Sequence, residues 1–412
     1  MTSRRTASKL IASSALAATA WTGVGSAARA AAKGAETFDV AVIGAGAFGA
    51  WSAQALHARG QRVLLVDAYG PANNHSSSGG ETRIIRSAYG AQAVYARMAR
   101  EALPLWKDLA RRQRVELFVP TGVLTVHPDG AAFGDDSARV LRELGIPFER
   151  LAAAATMARF PQFRLAATES ALFEPEAGSL MARRAVQTLV GELRGQGVDY
   201  RQAAVTAPAG TGTIDELPTR DGGPIRARRF VFACGPWLPK IFPTLLEGRL
   251  HSQRGEVFFL GAPAGDARFT ASRMPTWIDH TSDGGAYGMP DIESRGCKVA
   301  VDAIDQAIDP DTGERTVSAP YIAAMREFVA RRFPALAEAP IVETRVCQYE
   351  MTATEDYILD RHPQITNLWI AGGGSGHGFK TSPVVGRDVA ALVMGETPVD
   401  ERFRIPTRRV GS

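Results

Sequence analysis

Cysteine is scarce in this chain of 412 residues, which contains only Cys234, Cys297 and Cys347. Three widely separated cysteines are too few for a disulfide framework or a cysteine-ligated zinc site, and no metal site is expected. No internal repeat is visible in the sequence. Hydrophobic residues make up 45% of the chain and charged residues 22%, which is ordinary for a globular protein with a large core. The length favours two domains.

Acidic residues are missing from residues 1–30, and the apolar run at residues 10–21 is too short and too rich in Ala, Ser and Thr to span a bilayer. Paired Arg4 and Arg5 precede that run, and a small-x-small pattern follows it at residues 28–30. This order predicts a twin-arginine signal peptide. We therefore expect export by the twin-arginine machinery to the periplasm or the extracellular space, without a stable membrane anchor. The alternative is a disordered basic tail.

The formal net charge of +4 depends on this segment. It contains four of the 47 basic residues, and without them 43 basic residues balance 43 acidic ones. The high proportion of basic residues is therefore no argument for a nucleic-acid partner or an anionic surface, and no nucleic acid is expected.

A βαβ pattern occupies residues 38–67, which read FDVAVIGAGAFGAWSAQALHARGQRVLLVD. A short β-branched run, an alanine-rich stretch and a second apolar run predict strand, helix and strand. Three glycines in a GxGxxG pattern follow the first strand, and an acidic residue ends the second. These residues are Gly44, Gly46, Gly49 and Asp67. The complete order predicts a dinucleotide site, whereas an isolated GxGxxG is also compatible with a coincidental turn.

Each residue of this pattern has a physical role. Gly44 permits a tight turn, Gly46 lets the backbone approach a pyrophosphate, and Gly49 lets the helix pack closely on the strand. The helix N-terminus offers unpaired N–H groups to the phosphates. Asp67 is expected to accept hydrogen bonds from an adenosine ribose. The motif alone does not distinguish FAD from NAD.

The next stretch is polar and then basic. Residues 72–80 (ANNHSSSGG) are predicted to form a loop that could lie along the cofactor, and residues 81–86 read ETRIIR. Arg83 and Arg86 are three residues apart, so they share a face only if this segment is helical. Their spacing is compatible with a positive pocket and equally with a solvated surface pair.

Periodicity predicts the remaining elements. Helices are expected at residues 91–113, 137–144, 178–195 and 318–333, and strands at 118–126, 229–233, 256–260, 285–289 and 297–301. The last three strands suggest a β-rich second domain. Residues 207–223 are predicted to form a surface loop, and DPDTG at 309–313 is predicted to be a turn because it lacks the further ligands of a calcium loop.

A second glycine-rich segment lies near the C-terminus. A strand is predicted at residues 367–371, followed by GGGSGHGFK at 372–380. Ser382 is expected to cap a helix that has Pro383 in its first turn and ends at Gly395. Such a helix N-terminus stabilises negative charge, which suits a flavin ring that becomes negative on reduction and favours FAD over a nicotinamide.

Five stretches together resemble one family: residues 38–67, ETRIIR at 81–86, CQY at 347–349, ILDRHP at 358–363 and GHGFK at 376–380. Over residues 38 to about 408 the chain resembles the monomeric sarcosine oxidase group, which includes N-methyltryptophan oxidase and pipecolate oxidase, among the D-amino-acid-oxidase-like flavoproteins. The resemblance implies an α/β (α+β) fold with a Rossmann-like FAD-binding domain and a second, β-sheet-rich substrate domain, and it implies a monomer.

The two domains are expected to be interleaved along the chain. The resemblance implies FAD-binding segments at residues 38–115, 181–245 and 341–408, and substrate-domain segments at 116–180 and 246–340, after the signal peptide at 1–30.

The resemblance also implies catalytic roles for four cationic side chains. Arg86 and Lys380 match the groups that hold the substrate carboxylate. Arg83 matches an arginine beside the flavin ring, and Lys298 matches the lysine that helps to activate oxygen. Without the resemblance, Lys298 reads as a surface lysine that ends a strand.

Further matches concern the pocket and the cofactor. Tyr287 and Tyr349 match aromatic residues of the substrate pocket, and Cys347 matches the cysteine that bonds covalently to FAD. By composition alone, Cys347 would more often be a buried small hydrophobe. The other residues implied to contact FAD are Gly44, Gly46, Ala47, Phe48, Gly49, Asp67, Thr82, Arg83, Val205, Gly374, Gly376, His377, Gly378 and Lys380.

The sequence also departs from the family pattern. Asp302 stands where sarcosine oxidase has an active-site histidine, Gly79 replaces another histidine, and Ile278 differs in the pocket wall. The expected reaction is oxidation of a secondary-amine amino acid, such as sarcosine, another N-methyl amino acid or pipecolate, to an imine, with O2 reduced to H2O2. Two alternatives are an exported FAD-dependent dehydrogenase that passes electrons to a quinone or carrier, and a catalytically silent flavin-binding protein.

Overall fold

The computed structural model describes residues 37–281, 285–302, 306–398 and 400–406, so the predicted signal peptide lies outside the described residues. The described helices are α1 (Ala47–His57), α2 (Ala93–Gln113), α3 (Ala132–Glu143), α4 (Ala153–Arg159), α5 (Ala182–Gly195), α6 (Leu238–Ile241), α7 (Pro243–Leu246), α8 (Ala319–Arg332) and α9 (Ser382–Met394).

The described strands, in chain order, are β1 (Phe38–Ile43), β2 (Val63–Asp67), β3 (Thr82–Ile85), β4 (Phe118–Val119), β5 (Val123–Pro128), β6 (Glu149–Ala152), β7 (Glu169–Glu174), β8 (Gly178–Met181), β9 (Asp199–Gln202), β10 (Glu216–Leu217), β11 (Ile225–Phe232), β12 (Leu250–Leu260), β13 (Thr276–Asp279), β14 (Ala286–Met289), β15 (Cys297–Val301), β16 (Ile341–Thr352), β17 (Ile358–Arg361) and β18 (Leu368–Gly372). They form two large sheets and one small sheet.

The first sheet contains the βαβ unit and has the order β17-β18-β11-β1-β2-β9, with β10 paired to β11. Strand β1 is parallel to β2 and β11, whereas β17 is antiparallel to β18. Strands β1, β2 and β11 consist largely of buried apolar residues, as expected for parallel strands in the interior of a sheet. Their carboxyl ends therefore lie at one edge of the sheet.

Helix α1 packs against α9, so the two glycine-rich segments of the sequence lie close together. The helices can approach this closely only because residue 386 of α9 is a glycine. A Cβ atom at Gly386 would lie 2.4 Å from the backbone carbonyl carbon of Trp51 in α1. Trp51 also packs edge to face on Trp106 of α2, with 5.1 Å between ring centroids.

The second large sheet has the order β16-β12-β15-β14-β13-β5-β7-β6 and is antiparallel except for the β13–β5 pair. Helix α8 and the residue that follows it pack on this sheet through aromatic side chains: the Trp277 ring centroid lies 5.5 Å from that of Phe328 and 4.9 Å from that of Phe333. Strands of the two large sheets alternate along the chain. This confirms the predicted α/β (α+β) class with interleaved segments, while the exact segment boundaries stay a prediction.

Three local predictions were wrong. Residues 178–195 do not form one helix, because residues 178–181 pair with β3 and β4 as strand β8. The segment predicted as a strand at 118–126 is interrupted at Gly122, which has φ +67°. Ser382 does not cap α9; it lies in the first turn, after Thr381, and its hydroxyl donates to the Phe379 carbonyl at 2.8 Å.

The last helix otherwise follows the prediction, with Pro383 in its first turn and Gly395, at φ +71°, at its end. Within the described residues, no helix combines the length and the apolar character that a membrane span requires.

Candidate active site

A cavity of about 450 Å³ opens at the carboxyl ends of β1, β2 and β11. The predicted cofactor residues that line it are Gly44, Gly46, Ala47, Phe48, Asp67, Arg83, Val205, Gly374, Gly376 and Gly378, together with the predicted pocket residue Tyr349. The cavity therefore brings the two glycine-rich segments of the sequence into one site. Ligands of parallel α/β sheets bind at such a crevice.

The backbone around this cavity fits a dinucleotide. Gly44 has φ +106°, and a Cβ atom there would lie 2.3 Å from the Ala233 carbonyl oxygen. A Cβ atom at Gly49 would lie 1.8 Å from the Gly44 carbonyl oxygen, so α1 packs on the turn only because residue 49 lacks a side chain. A Cβ atom added at Gly46 would have the Ser78 hydroxyl, at 3.5 Å, as its nearest neighbour. The Gly46 backbone therefore stays accessible from the cavity.

Asp67 fixes the edge of the cavity where the ribose was predicted. Its carboxylate accepts backbone N–H groups from Ala45 at 2.8 Å, Tyr69 at 2.9 Å and Gly70 at 2.8 Å. Burial raises its pKa, and these hydrogen bonds oppose that rise. A carboxylate has about four acceptor positions, so Asp67 retains capacity for one more donor.

A second group of side chains, the ring-side cluster, consists of Arg83, Tyr287, Lys298, Cys347 and Tyr349. They come from β3, β14, β15 and β16. In the second large sheet β14 pairs with β15, and β12 lies between β15 and β16, whereas β3 belongs to the small sheet. The Tyr287 and Tyr349 hydroxyls are 3.1 Å apart. The Lys298 ammonium lies 5.6 Å from the Tyr287 ring centroid and donates to the Thr82 carbonyl at 3.0 Å. Sequence reasoning predicted all five.

In the ring-side cluster, Lys298 and Cys347 are buried, whereas Arg83, Tyr287 and Tyr349 are partly exposed. Burial, followed by the charge of Arg83, lowers the pKa of Lys298 to about 7. Burial alone would raise the pKa of Cys347, but the charges of Arg83, Arg345 and Lys298 outweigh it and lower that pKa. A thiol with a lowered pKa is partly thiolate at neutral pH, which is the nucleophilic form.

A third group, the clamp cluster, consists of Arg86, Tyr89, Glu174 and Lys380. Two basic side chains approach the Tyr89 ring, with the Arg86 guanidinium carbon 4.3 Å and the Lys380 side-chain nitrogen 5.2 Å from its centroid. Lys380 donates to the Tyr89 hydroxyl at 2.7 Å and to the His377 carbonyl at 2.8 Å. The structure thus brings the two predicted carboxylate-binding groups together.

Glu174 holds the segment between Arg86 and Tyr89. Its carboxylate accepts the backbone N–H groups of Ser87 at 2.8 Å and Ala88 at 3.0 Å. Burial raises the pKa of Glu174, and burial followed by the charge of Arg86 lowers the pKa of Lys380 well below its usual range. Sequence reasoning missed Tyr89 and Glu174. Tyr89 lies three residues after Arg86, but nothing in the sequence around Glu174 indicates its position.

Arg83 and Arg86 belong to different clusters because residues 82–85 form strand β3 and not a helical turn. Residues at odd spacing on a strand point to opposite faces. Arg83 accordingly interacts with Cys347, and Arg86 donates to the Ala88 carbonyl beside Tyr89. The role predicted for Arg83 beside the flavin ring and the role predicted for Arg86 at the substrate carboxylate therefore do not require the two side chains to share a face.

The remaining predicted residues lie around these clusters. His377 is outside the cavity lining, with its Nδ1 atom 3.0 Å from the Tyr357 hydroxyl and Nε2 3.0 Å from the Glu355 carbonyl oxygen. Asp302 directly follows β15 and its charge acts on Tyr287 and Tyr349. Ile278 of β13 pairs with Tyr287. Among the described residues, no group of His, Cys, Asp and Glu side chains could hold a metal ion.

Comparisons with known proteins agree with this geometry. The family model DAO, FAD dependent oxidoreductase, matches residues 39–392. Monomeric sarcosine oxidase of Bacillus sp. (strain NS-129) is 31% identical over 88% of this chain and 95% of its own length. N-methyl-L-tryptophan oxidase of Salmonella heidelberg (strain SL476) is 28% identical over 88% and 96%.

A solved structure shares the fold. L-proline dehydrogenase from P. horikoshii superposes with a TM-score of 0.78 over 90% of this chain and 97% of its own, at 19% sequence identity. With the family match over most of the sequence, the chain belongs to the DAO family of FAD dependent oxidoreductases.

Proposed function

We propose that this protein oxidises an amino acid with a secondary amine, such as sarcosine, another N-methyl amino acid or a cyclic imino acid, and uses O2 as electron acceptor. The observation that carries the proposal is the coexistence of two built clusters: the paired cations Arg86 and Lys380, and the ring-side cluster with Lys298. A protein that only stores or carries FAD does not need a carboxylate clamp. The sarcosine and N-methyltryptophan oxidases named above support this substrate class.

In this proposal, Arg86 and Lys380 bind the substrate carboxylate and so fix the orientation of the amine. Tyr287 and Tyr349 enclose the substrate and exclude water. Holding a substrate in the reactive orientation can supply a large part of the decrease in activation free energy that an enzyme achieves. Bound FAD supplies the two-electron acceptor that converts the amine to an imine, and its return to the oxidised form converts O2 to H2O2. The Lys298 ammonium stabilises negative charge that develops as O2 is reduced.

We also propose that Cys347 would hold FAD covalently through a thioether between its sulfur and a C–H carbon of the flavin, with O2 accepting the two electrons and two protons that this bond formation releases. Its lowered pKa and its place among Arg83, Arg345 and Lys298 support a nucleophilic thiolate. Acid precipitation of the protein should leave the flavin in the pellet, whereas Cys347→Ala should release it to the supernatant. Release from the unaltered protein would contradict covalent attachment.

The function itself is tested on the flavin spectrum. Sarcosine, pipecolate, proline and N-methyltryptophan are added in turn without oxygen, and air is then admitted. Bleaching by an amine followed by fast recovery and H2O2 formation supports the proposed oxidase. Bleaching with slow recovery in air would point to a dehydrogenase that uses a quinone or carrier, and no bleaching by any amine would point to a silent flavin-binding protein.

Finally, we propose that the protein works outside the cytoplasm. The support is the sequence of residues 1–30, with paired Arg4 and Arg5, an apolar run and a small-x-small pattern. Twin-arginine export carries folded cargo, so FAD can be inserted before transport.

A further inference from the structure

Glu350 is a buried acid in the cofactor cavity to which neither proposed cluster gives a role. It lies on β16 beside Tyr349, lines the same cavity, and is only 8% exposed. Its Oε1 atom accepts the Gly374 backbone N–H at 3.3 Å, but its buried Oε2 atom has no hydrogen-bond partner among the described residues. A buried polar atom without a partner costs about 1–3 kcal/mol. Glu350 therefore has one oxygen that no described residue satisfies, in a side chain that lines the cofactor cavity.

The loop after β11 leaves room for that oxygen. Gly235 has φ +52°, and a Cβ atom there would lie 2.9 Å from Glu350 Oε2. The two preceding residues of the loop, Ala233 and Cys234, are the ones that approach Gly44. Glu350 thus lies between the glycines predicted to hold the pyrophosphate and its neighbour Tyr349 in the ring-side cluster. In FAD, the part of the molecule between pyrophosphate and ring is the ribityl chain, a polyol with three hydroxyl groups.

The protonation state of Glu350 is compatible with this ligand. Burial raises its pKa to about 7. The charges of Glu350 and of Asp67, at the end of β2, both act on the thiol of Cys234 in the loop after β11. Burial, followed by the charges of Asp67 and Glu350, raises the pKa of the Cys234 thiol. A neutral carboxyl both donates and accepts a hydrogen bond, as a hydroxyl does, and it does not repel the pyrophosphate.

We propose that Glu350 binds the ribityl chain of FAD through a hydrogen bond between its carboxyl group and a ribityl hydroxyl. The inference rests on the family's cofactor and not on which amine is oxidised. It can therefore fail or succeed independently of the proposed substrate class.

The test measures FAD affinity in the full chain with Cys347→Ser, which keeps the flavin exchangeable. The dissociation constant is obtained from quenching of flavin fluorescence as apoprotein is added. Glu350→Ala is expected to weaken FAD binding by roughly 10- to 100-fold, whereas Glu350→Gln, which keeps a neutral donor and acceptor, is expected to stay within about 3-fold of the parent. Glu343→Ala is the control, because Glu343 lies on the same strand but pairs with Arg295.

Dependence on pH provides a second readout. The affinity of the parent should fall as pH rises through about 7, since the ionised carboxylate loses its proton donor and repels the phosphates. The affinity of Glu350→Gln should not fall in this way. Parent-like affinity of Glu350→Ala, a loss in Glu350→Gln as large as in Glu350→Ala, or a parent that is insensitive to pH would each overturn the proposal. Thermal unfolding of the apoproteins shows whether Glu350→Ala is folded. If it is not, the FAD affinity of Glu350→Gln and its pH dependence test the proposal instead.

Discussion

Among single residues, Lys298 has an environment that predicts a pH-dependent reaction with oxygen. Its pKa is lowered to about 7 by burial and by Arg83, so its ammonium is lost as pH rises through that value. We expect Lys298→Met to slow recovery of the flavin spectrum in air by roughly 100-fold and to leave anaerobic bleaching nearly unchanged. Stopped-flow spectroscopy of the two steps measures both rates.

The matched control is Lys298→Arg, which keeps the charge at all accessible pH values. The unaltered protein should reoxidise more slowly above pH 7 than below it, whereas this variant should show no such decline. If Lys298→Met changes neither step, Lys298 has a different role, for instance holding the Thr82 carbonyl to which it donates.

Asp302 is one of the residues at which this sequence departs from the family pattern. Its side chain is exposed to solvent, but the surrounding protein raises the pKa of its carboxyl to about 6 by partial desolvation. Its charge is among the factors that raise the pKa of Tyr287. Above pH 6 the carboxylate attracts the protonated amine of an incoming amino acid. The KM of the substrate identified by bleaching should therefore fall as pH rises from 5 to 7, with little change in kcat.

Asp302→Asn removes that charge and keeps the shape of the side chain. We expect a higher KM in this variant and no decline in KM across the same pH range. Steady-state kinetics at several pH values compares the two proteins. A decline of equal size in the variant would show that another group controls it.

At the level of whole elements, the contact between α1 and α9 depends on Gly386. A Cβ atom at this position would meet the backbone carbonyl of Trp51, which is not free to move aside. Gly386→Ala should therefore lower the free energy of unfolding by about 1–3 kcal/mol. Gly191→Ala in α5 is the control, because nothing lies within 4 Å of its added Cβ atom.

The control substitution should raise the free energy of unfolding by about 0.5–1 kcal/mol, because alanine is the better helix former. Urea denaturation at equal flavin content measures both variants. A destabilised Gly191→Ala, or a Gly386→Ala as stable as the parent, would contradict this account of the helix contact.

Helix α8 is attached to the second sheet by a buried ionic network. Arg332 is 1% exposed and donates to Asp279 at 2.7 Å and to both Glu169 oxygens at 2.7 and 3.0 Å. Arg332→Leu leaves Asp279 without its cationic partner and leaves Glu169 with only the more distant Arg331, at 3.8 Å. We therefore expect a loss of about 3–5 kcal/mol in the free energy of unfolding at pH 7. Urea denaturation of parent and variant measures it.

The same network gives a pH dependence with a defined sign. Burial raises the pKa of Glu169, but the hydrogen bond and charge of Arg332 outweigh burial and lower it overall. A lowered pKa contributes stability that is present above the ordinary pKa of a glutamic acid and lost as pH falls through the lowered value. The difference between parent and Arg332→Leu should therefore shrink towards pH 3. A constant difference would show that the network acts by packing alone.

Sequence patterns predicted those elements that are governed by local physics. The first βαβ unit and the end of α9 follow from apolar periodicity and from glycine positions, and the structure has both. Residues 178–181 became a strand because β3 and β4 pair with them, and β3 itself overrides any helical tendency of residues 82–85. Such pairing is a tertiary effect that a local window does not contain.

The candidate site likewise contains residues that the sequence indicates and residues that only the tertiary structure reveals. The family resemblance named the ring-side cluster, Arg86 and Lys380, but it did not name Tyr89, Glu174 or Glu350. The Glu174 side chain reaches the clamp cluster only because β7 brings it to the backbone of residues 87 and 88. Glu350 is apparent as a ligand-binding candidate only once the burial of Oε2 and the position of Gly235 are known.

At the scale of the whole molecule, the proposed export route determines when FAD must be inserted. Folding around FAD must precede transport if a twin-arginine signal directs export, because that route accepts folded cargo. Replacing Arg4 and Arg5 together by Lys should leave the precursor inside the cytoplasm with its normal flavin content. Cell fractionation, with flavin absorbance of the purified protein, measures both properties.

The control is Lys9→Arg, which alters a basic residue outside the pair and should still be exported. Because the leader lies outside the family match at residues 39–392, oxidation of the amine should proceed equally in the retained precursor. An Arg4 and Arg5 double variant that is exported as efficiently as the parent would show that residues 1–30 are not a twin-arginine signal.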